Sequence, residues 1–250
     1  MSESFSLPPD RLATLATVEI QRQAARMAQD AFGRLFRLSA EAAADDAGTI
    51  AEIARRCANW ARAAGEEDAA ALRLALLVAG VDQWALAWSQ AFGLAAIPPV
   101  SDMLGRLRTG LDARADARFQ SAFAAIEAAE GNAIDFKVEL RRQLHLALWH
   151  SLAACASREE AKPLQEALGS MMLALVQRMP VLGPRLVADA LAHIQLRCLD
   201  AEADVSALAR ELTGEMFAAL RASLPREPGD SIIAHANQVV IAWQRAQRAN

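Results

Sequence analysis

Apolar residues recur at three- and four-residue spacing through every long segment of this 250-residue chain, and no run of β-branched residues exceeds three. That is the period of an α-helix burying one face, so the sequence predicts helices almost throughout. The stretch from Asp10 to about Ser39 shows it. Ile20, Ala24, Met27, Ala31, Leu35 and Leu38 line one face, flanked by Phe32 and Phe36, while Gln21, Arg22, Arg26, Gln29, Asp30, Arg34 and Arg37 line the other.

Composition points the same way. Hydrophobic residues make up 54% of the chain, much of it alanine, which loses no side-chain entropy in a helix. Aromatic residues are only 5% and Tyr is absent, which works against a β-sheet. The expected fold is all-α, a helical bundle of eight to nine helices in a single domain, 1–250. Pro98-Pro99 is the clearest interruption and marks a possible subdomain break at 98–101.

Local signals place the remaining helices. Pro8 and Pro9 suit a helix start, with Asp10 in the first turn. Asp45-Asp46-Ala47-Gly48 reads as a loop, followed by a capping box at Thr49-Ile50-Ala51-Glu52. That helix is expected to bury Ile50, Ile53, Cys57, Trp60 and Ala64 and to end at Gly65. A third helix runs from about Glu67 to Phe92, with Gly80 as a candidate kink. Ser101 or Asp102 caps a fourth, expected to stop near Gly131-Asn132. Asn132 caps a fifth, Ile134 to Ala156, whose second half is apolar nearly all round and so marks a buried helix. Further helices are expected from Pro163 to before Pro180, from Gly183-Pro184 through Leu199, from Asp200 or Asp204 to Leu224-Pro225, and from Ser231 to about Arg248.

Charge excludes some functions. The formal net charge is −4 with acids and bases interspersed. No basic stripe stands out, so a nucleic-acid partner is not expected. Arg106, Arg108, Arg114 and Arg118 alternate with Asp102, Asp112 and Asp116 and read as a self-neutralised face. Cys57, Cys155 and Cys198 are far apart with no CxxC, the usage of a reducing compartment. MSESFSLPPD lacks the features of a secretory signal. The uncharged segment Gln83–Ser101 is broken by polar residues and two prolines, so no transmembrane segment is expected. The chain is read as cytoplasmic, with a bacterial texture.

No motif for catalysis, metal or cofactor is found. His145 and His150 are five residues apart, which turns them away from one point. Asp189 and His193 have a ligand-like four-residue spacing, but there is no Glu-x-x-His and no HExxH, so neither a metal nor a cofactor is assigned. GxSxG, GxGxxG and Walker sequences are absent. What remains is aromatic placement. Trp84, Trp88 and Phe92 form a stripe on the third helix, and Trp149 lies beside His145 and His150 on the fifth. These six are the candidate binding residues.

The leading expectation is a non-catalytic interaction protein, an adaptor, chaperone or regulatory partner, acting through a protein partner or self-association. One alternative is a helical enzyme or carrier with a pocket for an apolar small molecule near His145 and Trp149. Another is an amphipathic coat protein on a lipid or polymer surface. The third helix poses the sharpest question. Leu72, Leu76, Ala79 and Leu86 oppose its Trp stripe, so it is either central or covered on one face by a partner.

Overall fold

In a computed structural model the described residues are 7–41, 46–92, 97–129, 136–178, 180–181, 183–200 and 205–249. They form eleven helices, with no strand among them. The bundle is therefore all-α, with more helices than the eight to nine expected, because two long apolar periods each contain a break.

The first break separates α1 (Pro9–Leu15) from α2 (Val18–Glu41). Ala16 leaves helical geometry at φ −86° and ψ 53°. Thr17 restarts the chain by accepting the Ile20 amide at 3.4 Å. Gln21, almost fully buried, donates its side-chain amide to the Ala16 carbonyl at 2.5 Å and satisfies the broken end. The second break separates α5 (Ile97–Thr109) from α6 (Ala113–Ala128) at Gly110-Leu111-Asp112. Asp112 is the N-cap, its carboxylate accepting the Ala115 amide at 2.8 Å.

Several starts lie earlier than the sequence suggested. α3 spans Asp46–Arg62, so Asp46, Ala47 and Gly48 are helical rather than loop and Thr49 lies inside the first turn. Asp45 lies outside the described residues. α5 begins before Ser101, with Pro98 and Pro99 in its first turn. Their missing N–H groups are donors that would find no acceptor there. α7 spans Phe136–Ala153 and ends before Ala156; the expected stop at Gly131-Asn132 and the cap at Asn132 fall outside the described residues. α8, Arg158–Arg178, starts before Pro163. There Ser157 accepts the Glu160 amide at 3.3 Å and Glu160 reaches back to the Ala156 amide at 3.0 Å. α10, Ala207–Ser223, is capped by Ser206, which accepts the Ala209 amide at 3.1 Å. α11, Arg226–Ala249, contains a kink at Glu227 ahead of Ser231.

Other boundaries match the sequence. α4 spans Glu67–Phe92 and continues through Gly80. Gly65 closes the α3 end with φ +76°, a conformation that glycine adopts without strain. α9 spans Gly183–Leu199. A Cβ on Gly183 would lie 2.2 Å from the Leu175 carbonyl oxygen, so only glycine lets the start of α9 approach α8 this closely.

The chain gathers into two compact units, Met1–Leu140 and Arg141–Asn250, with the division inside α7; Pro98-Pro99 lies within the first. In the first unit α4 is the hub, packed by α1, α2, α3, α5 and α6. Leu72, Leu76, Leu77 and Val81 are buried along it. In the second unit α9 packs on α8 and α11, and α10 packs on α8. Arg158 at the start of α8 holds Glu211 at 2.5 Å and Glu215 at 2.9 Å on α10.

Candidate functional site

The six aromatic and histidine residues singled out above fall into different environments. Trp84 is 3% exposed and stacks on Phe32 of α2 with centroids 5.8 Å apart; Trp88, half-buried, meets the same ring edge-on at 5.8 Å. The two indoles are 5.0 Å apart and Phe36 adjoins Phe32. This stripe is an aromatic joint between α2 and α4. Phe92 ends α4, and its side chain lies outside the described set. Leu86, on the opposite side of α4, is 52% exposed.

On α7 the histidines part company. His145 is 1% exposed and His150 is exposed. Trp149, also buried, donates its indole N–H to Thr213 of α10 at 3.1 Å, and Thr213 in turn donates to the Ala209 carbonyl at 2.7 Å. Its ring meets His150 edge-on at 5.0 Å. Desolvation first, and Arg197 second, lower the His150 pKa. Neither ring nitrogen of His145 has a hydrogen-bond partner among the described residues. Burial, with a smaller push from Arg141, lowers its pKa from 6.5 to about 3. His145 is therefore a neutral core histidine with unsatisfied nitrogens.

That state has a measurable consequence. Leaving a buried polar group unsatisfied costs about 1–3 kcal/mol. His145→Leu is expected to raise the urea midpoint by a corresponding amount. The folded pKa lies below the unfolded one, so the histidine's neutral-state contribution is complete above pH 6.5 and is lost as pH falls toward 3. The variant should flatten that acid limb. A variant less stable than the parent at neutral pH contradicts this account of the site.

Asp189 does not pair with His193. Its carboxylate faces His235 of α11 at 3.3 Å, a contact across helices that the four-residue spacing did not reveal. Among the described residues no three His, Cys, Asp or Glu side chains gather as a metal site.

An arrangement able to hold a partner lies elsewhere, in the first unit. A groove of about 580 Å³ opens between α3 and the α5–α6 corner, with α4 as its floor. Ala51, Ala54, Ala58 and Ala61 form the α3 wall. Ala70, Ala71 and Leu74 form the floor, and Leu107, Leu111, Ala115 and Phe119 the far wall. Alanine at each helical turn keeps the walls low. Arg55 and Arg62 rim one side; Arg106, Arg114 and Arg118 rim the other.

No family model matches the chain, nor does any curated protein or solved structure.

The groove's charges are uneven. Five arginines line it against two acids, Glu67 and Asp112. Glu67 pairs with Arg114 at 3.2 Å and Arg118 at 2.9 Å, and Arg118 also binds Asp68. Arg118 is only 16% exposed, so it is structural rather than part of a solvated face. Arg106 pairs with Asp102 at 3.1 Å, as their spacing predicted. Arg62 donates to Asn59 at 2.8 Å and to the Ala58 carbonyl at 3.3 Å. Among the described residues neither Arg55 nor Arg62 forms an ion pair with a carboxylate.

Two further clefts lie in the second unit. One of about 600 Å³ runs between α8 and α10, and another of about 580 Å³ lies around Leu173, Pro180 and Pro225. The first balances Arg158 and Lys162 against Glu166 and Glu215. None of these three clefts is lined by His145, Trp149 or His150.

Proposed function

We propose that this chain is a helical interaction protein, working without catalysis, whose first unit receives a protein partner in the groove between α3 and the α5–α6 corner. The observation that carries the reading is the groove itself: an alanine-walled trough with an excess of arginine at its edge. Low walls and an apolar floor suit the docking of a partner's secondary structure, the mode in which a groove accepts one apolar helical face. The Trp84–Trp88 stripe supports this by default, since its joint with Phe32 leaves it as core rather than as the docking face.

α4 is long and apolar enough over Glu67–Ala91 to cross a membrane, and 67% of an 18-residue window within it is buried inside the protein. A core helix passes the same test, and five neighbouring helices around α4 favour that role. That supports reading α4 as a core helix rather than a membrane span. The unpaired thiols of Cys57, Cys155 and Cys198 fit a reducing cytoplasm.

Filling the groove tests the proposal. Ala58 lines the trough, whereas Gln120 is an exposed position on α6 outside it. In the cells that make the protein, Ala58→Trp should remove a co-purifying partner that Gln120→Trp retains, with both variants unfolding at the parental temperature. The same partners on parent, Ala58→Trp and Gln120→Trp would overturn it.

A further inference from the structure

The groove's shape and charge narrow the occupant, on the reading that the groove is the binding site. Its α3 wall runs from Ala51 to Arg62, which spans roughly 16 Å at the helical rise, about three turns. Arg55 and Arg62 are seven residues apart on that wall, so they project on one side with roughly 10 Å between them. The facing rim carries Arg106 and Arg114, each already holding a carboxylate of this chain. Among the described residues, positive charge without a carboxylate partner therefore lies along one edge, repeated at the seven-residue spacing of a helix, over an apolar floor.

We propose that the groove takes a single amphipathic helix from a protein partner. That helix carries two acidic residues seven positions apart to meet Arg55 and Arg62. Its apolar face lies on Ala51, Ala58, Ala70, Leu111 and Ala115, the apolar lining residues that are only half-buried.

The charge pattern selects this occupant over others. An alkyl carboxylate has one charge at one end and leaves the second arginine unmatched. A membrane surface is flat and cannot reach the floor of a trough. A nucleic acid needs a basic surface for its phosphates, whereas Glu67 and Asp112 lie on the same lining. Alanine walls also let a helix backbone come close, which larger side chains would prevent. Acids on the partner would act mainly on association rate and partner choice, as charged rims do.

Fluorescence anisotropy with the full chain tests it. The probe is a labelled amphipathic peptide about three turns longer than the groove wall at full helicity. Leu at i, i+3 and i+7 forms one face, with Glu at two flanking positions seven apart. A control peptide replaces both Glu with Lys. The Glu peptide should bind saturably in about the micromolar range, and the Lys peptide about tenfold more weakly or worse. The pair Arg55→Glu and Arg62→Glu should invert that preference. Both residues are exposed, so the unfolding temperature should stay close to the parent's.

Equal binding of the two peptides, or binding of neither, overturns the acidic-helix proposal. So does one-to-one binding of dodecanoate at the groove with no peptide binding, which would assign the site to a small amphiphile. The wider reading is separable. If the peptides fail while Ala58→Trp still removes a cellular partner, the groove remains a docking site and only the occupant is wrong. If Ala58→Trp removes nothing either, both fall.

Discussion

Trp84→Ala is expected to lower the unfolding free energy of the protein by about 3–5 kcal/mol, the usual cost of emptying a large buried aromatic site. Trp84 is 3% exposed and closes the α2–α4 joint against Phe32 and Trp88, with ring centroids at 5.8 and 5.0 Å. The cavity would open at the hub of the first unit, where five helices meet α4 and cannot all relax inward. Its indole nitrogen has no hydrogen-bond partner among the described residues. Trp84→Phe drops that N–H and keeps most of the ring, so it should cost less than about 1.5 kcal/mol. Urea denaturation of both variants checks the pair. A Trp84→Ala variant with the parental midpoint and a lost assembly state would return this stripe to the role of partner-facing surface.

The second large effect is at Trp149. It is 1% exposed, and its N–H bonds Thr213 at 3.1 Å, linking α7 to α10 in the second unit. Trp149→Ala loses both the burial and the tie, for about 3–5 kcal/mol. Thr213→Val keeps the indole in place but leaves its N–H buried without an acceptor, at about 1–3 kcal/mol. Their double variant separates the two. With alanine at position 149 there is no N–H to strand, so the added cost of Thr213→Val should shrink. Full additivity would mean that the bond contributes nothing.

The helical class was legible because the apolar period persists through the whole chain, and some boundaries were written plainly. Glu67 and Asp68 begin α4 and no proline interrupts it before Phe92. The breaks at Ala16-Thr17 and Gly110-Asp112 were hidden by the same periodicity, since both halves of each stretch bury side chains and the period runs on across the bend. Thr17, Asp112, Ser157 and Ser206 are residue types that cap helices, and Ser157 with Glu160 forms a capping pair. Those signals were present in the sequence, but Ser, Thr and Asp also recur along the polar helix faces, so residue type alone did not mark the caps.

The candidate site was not legible. Its alanines and arginines come from segments around positions 51–62, 67–74 and 106–119. In sequence each is a small residue or a charge beside an opposite charge, the texture of any solvated helix face. Only the packing of α3, α5 and α6 around α4 aligns them on one trough. The aromatic residues drew notice instead because aromatics carry large burial energies, and here that energy is spent inside each unit. His145 and His150 share a helix yet one is buried and one exposed, as their five-residue offset allows.

Site-specific photo-crosslinking in the living cell tests the docking account most directly. A benzophenone amino acid at position 58 lies in the groove, and the same group at position 120 lies on the exposed side of α6. The account predicts a discrete protein adduct from position 58, none of that mass from position 120, and loss of the adduct when Arg55→Glu and Arg62→Glu are added. An adduct that forms equally from both positions, or no adduct from position 58, would contradict it.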